Sequence, residues 1–473
     1  MAVLGAGIAG LVAARLLRGA GYTCSILEAR SRAGGRVWTL RSGDRIEETD
    51  SVQNIGWAAH RDLYFEAGAA RICHHHRGML GYCRELNVPL EVFVNDNRAG
   101  LIQIDSIFGG KPQKLQRVIA DMRGAIAALA ATTKSVDAGL NALLQNFGDL
   151  QQTDLTYSGS SRAGYESPLL SPGGGDQPGT LQQPLPASAI AQANALQIIR
   201  VALTFPELWN QASTMLAPVG GMDRIVKALV KAAGDGIYYK HEVLEIARVG
   251  NRARIVALDH TKGRRTAFDV DYVICTIPLP VLKSIKADFS GTVKQAVIDG
   301  ADVYFAAAKV AFEARQRWWE IDDDIYGGIS WTGRDINQIW YPSFGFHGKK
   351  GIIVGAYVWD PKAVAKYGAM TPAQRSVAAI ADGEALHPGY GTKVAHAASV
   401  VWPKVPFSLG GWAEWDFTPG SRQKTYPVLL AGDGPFYFAG EHMSYVNGWQ
   451  EGAVQSAHFV VSQLAARAKA GQP

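Results

Sequence analysis

Glycines stand at positions 5, 7 and 10, between the apolar stretch Ala2–Leu4 and a run in which Leu11, Ala14 and Leu17 recur at helical spacing. In a strand–turn–helix setting, Gly-x-Gly-x-x-Gly has a chemical use. Gly5 permits the tight turn, Gly7 lets the backbone approach a pyrophosphate, and Gly10 lets helix and strand pack closely. The helix amino terminus adds unpaired N–H groups and the positive end of its dipole. Glu28, eighteen residues past Gly10, closes the next strand, where a carboxylate accepts hydrogen bonds from ribose hydroxyls. Gly34-Gly35-Arg36 then offers a second bare backbone and a guanidinium whose forked donors suit phosphate oxygens. Together these residues read as a dinucleotide cradle, without separating NAD from FAD.

Two further features could carry chemistry. Lys309 lies in Ala306-Ala307-Ala308-Lys309-Val310-Ala311-Phe312, and a lysine buried on an apolar strand needs a partner or a task. The alternative is a side chain that snorkels out at a strand edge. His74-His75-His76 raises the question of a metal. Three consecutive histidines on a helix point in three directions, and no Cys/His set elsewhere completes a site, so no metal is expected. Cys24, Cys73, Cys83 and Cys275 form no Cys-x-x-Cys pair and are expected to be free thiols.

The elements that must position these groups follow from the pattern. Strand, glycine turn and helix run to Arg18, Gly19 and Gly21 stop the helix, and Thr23–Leu27 resumes as strand. Apolar spacing of three and four predicts helices between Lys114 and Leu144 and over Ile190–Leu208. Between Ser158 and Ser188, 17 of 31 residues are Gly, Pro or Ser, which predicts a long loop. After Gly220-Gly221-Met222-Asp223 comes another apolar stripe, with Asp223 as the expected cap. Glu242–Ala247, Ala253–Leu258 and Val270–Thr276 read as strands with a turn at His260–Arg264, and Ile329–Asp360 as more sheet. Phe436–Ala439 is a last strand, followed by a helix from Gly448 onward.

Composition sets bounds on all of this. The 473 residues are 47% hydrophobic and 19% charged, enough for a large core in two or three domains. The net charge, 47 − 42 = +5, comes without a long basic block, which argues against nucleic acid as the main partner. No apolar run approaches the ~20 residues of a membrane span, and a recognisable motif begins at the fifth residue, so a soluble, cytoplasmic protein is expected.

Gly5–Gly10, Glu28, Gly34-Gly35-Arg36, Gly220-Gly221-Met222-Asp223 and Phe438-Ala439-Gly440-Glu441 resemble, in order, the motifs of flavin-dependent amine oxidases. Within that superfamily, Gly68-Ala69-Ala70-Arg71-Ile72 with His76-Arg77 is similar to the L-amino acid oxidases. Arg84-Glu85-Leu86 and Arg162-Ala163-Gly164-Tyr165 resemble bacterial members that include the tryptophan oxidases of bisindole biosynthesis. The likeness runs from the first residues to about Ser456. It implies an α/β fold of amine-oxidase type. A discontinuous Rossmann-like FAD-binding domain would comprise residues 1–53, 214–300 and 421–473. An α+β substrate-binding domain would take 54–110 and 301–420, with an inserted helical domain over 111–213.

The resemblance also implies roles. FAD would be held by Gly5, Gly7, Ile8, Ala9, Gly10, Glu28, Ala29, Arg30, Gly35, Arg36, Ala69, Ala70, Arg71, Val243, Gly440, Glu441, Trp449 and Ala453. Arg71 would dock the substrate carboxylate, since two parallel N–H bonds match two oxygens. Tyr341, in Trp340-Tyr341-Pro342-Ser343, would add its hydroxyl. Gly448 would offer a carbonyl to the substrate amine, and Trp449 would wall the site. Lys309 would hold a water beside the flavin and assist oxygen. Trp412 stands where monoamine oxidases carry a flavin-bonding cysteine, so the FAD is expected to be non-covalent. Cys73 replaces a common proline after Arg-Ile, and Ala69-Ala70 replace bulkier residues, which could alter the loop around Arg71.

The expected activity is oxidative deamination of an aromatic or other bulky L-amino acid by O2, giving 2-oxo acid, ammonia and hydrogen peroxide. Hydride would pass from Cα to flavin N5, and the family implies a homodimer. The alternatives are a monoamine or polyamine oxidase, an amino acid monooxygenase on the same scaffold, or a flavin-binding protein without turnover.

Overall fold

The computed structural model describes residues 1–133, 137–166 and 180–469. Its organising element is a five-stranded parallel sheet, in the order Ile237–Tyr239, Ser25–Glu28, Ala2–Leu4, Val273–Cys275 and Phe436–Phe438. Apart from the edge strand Ile237–Tyr239, these strands are short and largely buried because both faces are covered, as parallel sheets require. The helices Ile8–Gly19, Asp223–Ala233 and Gln450–Lys469 pack together beside the sheet. Of the stripe after Gly221, Ile225, Val226 and Leu229 are buried, each contributing about 1.5–3 kcal/mol of transfer free energy. Asp223 opens that helix but makes no capping bond. Its carboxylate instead takes Arg41 Nη2 at 2.9 Å and Arg41 Nη1 at 3.1 Å, which draws it away from the helix N–H groups.

A seven-stranded mixed sheet carries the other half of the site, in the order Gln113–Lys114, Leu101–Gln103, Gly328–Thr332, Gln338–Tyr341, Gly351–Val358, Ala308–Ala314 and Val394–Val401. A four-stranded sheet contains the hairpin Arg252–Asp259 and Arg264–Val270, which turns where the sequence predicts. Helices Leu115–Ala131, Ala138–Gly148, Ala187–Ala195 and Gln197–Thr204 occupy the stretch of helical spacing. Within the Gly/Pro/Ser-rich stretch, residues 167–179 lie outside the described ones; at its edges Tyr165 bridges Leu181. All four cysteines are free and buried. Among the described residues, no helix is long and apolar enough to cross a membrane.

Candidate functional site

A cavity of about 680 Å³ runs from the glycine turn to Lys309 and the aromatic rings around it. That is an ordinary size for a cofactor and small-molecule site. Its first end is built of main chain. Gly5 holds φ +107°, and its N–H donates to Leu27 O at 2.7 Å, which ties the turn to the neighbouring parallel strand. A Cβ on Gly10 would stand 2.0 Å from Gly5 O, so only glycine lets helix and turn meet there. A Cβ on Gly7 would meet nothing within 4 Å, which leaves bare backbone facing the cavity. The second glycine loop docks on the first: Gly34 N–H donates to Ala6 O at 2.8 Å.

Glu28 is buried beside this turn. It accepts from Ala6 N–H at 2.8 Å and Arg30 N–H at 2.9 Å, leaving lone pairs on both oxygens for vicinal hydroxyls. Arg36 is already engaged, donating to Glu441 Oε1 at 2.7 Å and Gly411 O at 3.0 Å. Burial opposes its charge, but Glu441 and Tyr304 hold its pKa above the ordinary value. Glu441 also accepts from Gly448 N–H at 2.8 Å, so one carboxylate ties the second glycine loop to the carboxy-terminal segment.

The other end is built of side chains. Arg71 leaves the chain just before the strand Ile72–Cys73, after a glycine whose Cβ would lie 1.8 Å from Arg36 O. The guanidinium is buried, and its Nη2 donates to Gln211 Oε1 at 2.8 Å, while Nε has no partner. No carboxylate pairs with it among the described residues. Aromatic rings surround it instead: its Cζ stands 4.5 Å from the Trp340 centroid, 5.6 Å from Trp449, and 5.8 Å from Phe93 and Phe205. Burial pushes its pKa down to about 10. An unpaired, desolvated cation of this kind is a strong attractor for a carboxylate.

Lys309 sits on the strand Ala308–Ala314, paired on both sides, and so is not at an edge. Its ammonium donates to Gly68 O at 2.8 Å and Glu66 O at 3.0 Å, leaving one of three donors for the cavity. Burial, and then Arg71, lower its pKa to about 7, against the pull of Glu66. Tyr357 and Trp340 flank it, with ring centroids 4.8 and 5.3 Å from Nζ. Trp412 is fixed by its Nε1–H on Glu414 at 2.6 Å, and Gly448 beside it adopts φ +79°.

Of the site residues expected from the sequence, all but Gly10 and Tyr341 line this cavity. Gly10 acts through packing, as its place in the motif predicts. Tyr341 is a correction. It is buried in a separate core, where its hydroxyl meets His387 Nε2 at 2.6 Å and Ser330 Oγ at 2.7 Å. Successive strand residues face opposite ways, so Trp340 takes the cavity side and Tyr341 cannot. Tyr357, on the neighbouring strand, brings a tyrosine to the cavity instead.

Gln211, from a turn with no chemical signature in the sequence, was not foreseen. Asn95 Nδ2 holds its carbonyl at 2.7 Å. The histidine triplet is a second correction: it is not on a helix. His74 and His75 form a turn after Cys73, and His76 stands at the N-cap position of the helix Arg77–Glu85 without a side-chain capping bond. His76 is neutral, its pKa lowered to about 4 by burial, and its ring meets Trp449 edge-on at 4.9 Å.

A cavity with a dinucleotide cradle at one end and a desolvated cation among aromatic rings at the other defines a nucleotide-cofactor enzyme. Comparison with known proteins agrees. Residues 8–465 match the flavin containing amine oxidoreductase family, and the chain belongs to that family. The enzyme is therefore a flavin-dependent oxidoreductase. It is 28% identical to the flavin-dependent L-tryptophan oxidase RebO of Lentzea aerocolonigenes, over 98% of this chain and 97% of that protein. It is equally similar, at 28%, to YobN of Bacillus subtilis (strain 168), over 98% of this chain and 94% of that one. The L-amino-acid oxidase of Mus musculus is 25% identical over 96% of this chain and 69% of its own. Among solved structures, wild-type putrescine oxidase bound to putrescine shares the fold, with a TM-score of 0.63, 18% identity and 98% of both chains covered.

Proposed function

We propose that this chain is an oxidase of aromatic or bulky L-amino acids that uses non-covalently bound FAD. The observation that carries the reading is Arg71: a buried guanidinium with no carboxylate partner among the described residues, held for the present by a neutral amide. A simple amine has no use for such a group, and an amino acid has. The substrate carboxylate replaces Gln211 Oε1 on Arg71, and Tyr357, which lines the same cavity, adds its hydroxyl. Trp340, Trp449, Phe93 and Phe205 favour a large apolar side chain, in keeping with the L-tryptophan oxidase among the relatives.

The residues present fit FAD: bare backbone at Gly7, a helix amino terminus, and Glu28 with free lone pairs. No cysteine is among the described residues that line the cavity, and Trp412 cannot form a thioether, which supports non-covalent binding. When bound, FAD supplies the two-electron acceptor for the Cα–H bond, and O2 takes the electrons on to hydrogen peroxide. Arg71 and the rings fix Cα, and the Gly448 carbonyl accepts from the amine. Lys309 would contribute a titratable charge to the same cavity and so assist the reaction with oxygen. The imino acid released takes up water to give 2-oxo acid and ammonia. Peroxide and ammonia release should follow addition of L-tryptophan or L-phenylalanine, and D-isomers should be inert. Oxidation of putrescine with no turnover of any L-amino acid would overturn the reading.

A further inference from the structure

The turn after Arg71 gathers three metal-ligating atoms that the flavin chemistry leaves unused. Cys73 Sγ lies 3.0 Å from His75 Nδ1 and 3.8 Å from His74 Nδ1, and each of the three residues offers a ligand atom within 4.8 Å of the other two. Around zinc, with Zn–S about 2.3 Å and Zn–N about 2.0 Å, tetrahedral ligand atoms stand about 3.5 Å apart. The observed separations straddle that value. The orientation of His75 is set independently: its Nε2 meets Asn210 Oδ1 at 2.9 Å and its ring stacks on Trp209 at 3.8 Å. An amide oxygen can only accept, so Nε2 carries the proton and the Nδ1 lone pair points toward the sulfur. A ligand imidazole braced through its other nitrogen is the usual outer support of a metal site.

We propose that Cys73, His74 and His75 bind a thiophilic divalent cation of the zinc class, with Asn210 positioning His75. One thiolate and two imidazoles suit zinc over magnesium or calcium, and three protein ligands leave the fourth position to water. Binding converts the Cys73 thiol to a thiolate and releases its proton to solvent. The neutral cluster then gains one net positive charge close to Arg71, so affinity falls below that of a site with four protein ligands. His74 is exposed, which gives the cation a way in, and Cys73 is buried beneath it.

The test is a Zn2+ titration of the purified flavin-loaded enzyme against a chromogenic chelator, with Co2+ as the spectroscopic probe. One Zn2+ per chain and a cobalt–thiolate charge-transfer band are expected. Both should disappear in Cys73→Ser. Zn2+ should bind about tenfold to a hundredfold more weakly in Asn210→Ala. His74→Gln alters an exposed side chain, so it reports on the site even if Cys73→Ser does not fold, and it should weaken binding by at least as much. Absence of stoichiometric Zn2+ binding, or binding unchanged in both Cys73→Ser and His74→Gln, would overturn the proposal.

Discussion

At the glycine end of the cavity the wall is main chain, held by bonds such as Gly5 N–H to Leu27 O and Gly34 N–H to Ala6 O. At the Lys309 end the wall is side chain, drawn from residues as distant as Arg71, Gln211, Lys309 and Tyr357. The first end fits the pyrophosphate and ribose common to many cofactors and tolerates almost no added atom. The second presents charged, amide and aromatic side chains, and its parts can be exchanged singly. A backbone site is broken by volume, a side-chain site by function.

The largest effect should come from volume at the glycine end. Gly10→Ala puts a methyl 2.0 Å from Gly5 O, which is backbone and cannot swing away. The turn must open, and the purified variant should lack the visible flavin spectrum. Gly7→Ala meets nothing within 4 Å in the protein, so it should fold and lose only affinity for the cofactor. Full flavin content in Gly10→Ala would mean that close packing does not hold the turn.

At the side-chain end the effects should be graded. The Lys309 amine titrates near 7, so its charge is present below that value and lost above it. If the cation assists oxygen, kcat/KM for O2 should fall about tenfold between about pH 6 and about pH 8, the change in charged fraction for one group. The same profile should be flat in Lys309→Met, and a matching slope in that variant would remove Lys309 from the step. The smallest effect separates two tyrosines. Tyr357→Phe should lower kcat/KM for the amino acid about fivefold, the worth of one hydrogen bond near 1 kcal/mol. Tyr341→Phe should leave kcat/KM alone and lower Tm, because its hydroxyl serves Ser330 and His387 in the core. The reverse pattern would restore Tyr341 to the site.

What could be read from the sequence follows the same division. The glycine turn is local: five or six residues determine its backbone, and Glu28 follows one helix later. Four of the five parallel strands and their flanking helices are legible for that reason, whereas the short edge strand Ile237–Tyr239 is not. Arg71 was legible because its segment resembles a known motif. Tyr341 misled because a tyrosine beside Trp340 carries no mark of which sheet face it takes, and strand phase decides that. Gln211 and Asn95 meet only after the chain folds, and neither amide stands out in sequence. The histidine triplet was read as helix because its neighbours are helical, while the strand ending at Cys73 turns it instead. Asp223 looks like a cap until Arg41, 182 residues away in sequence, claims its carboxylate.

In the proposed function, Arg71 is what makes this flavoenzyme an oxidase of amino acids. Its most direct test is kcat/KM for an aromatic L-amino acid and for the amine lacking only the carboxylate, in the wild type and in Arg71→Met. Arg71→Met should lose about a hundredfold or more on the amino acid, the worth of two charge-assisted hydrogen bonds, and change little on the amine. An equal loss on both substrates, or none on the amino acid, would contradict it.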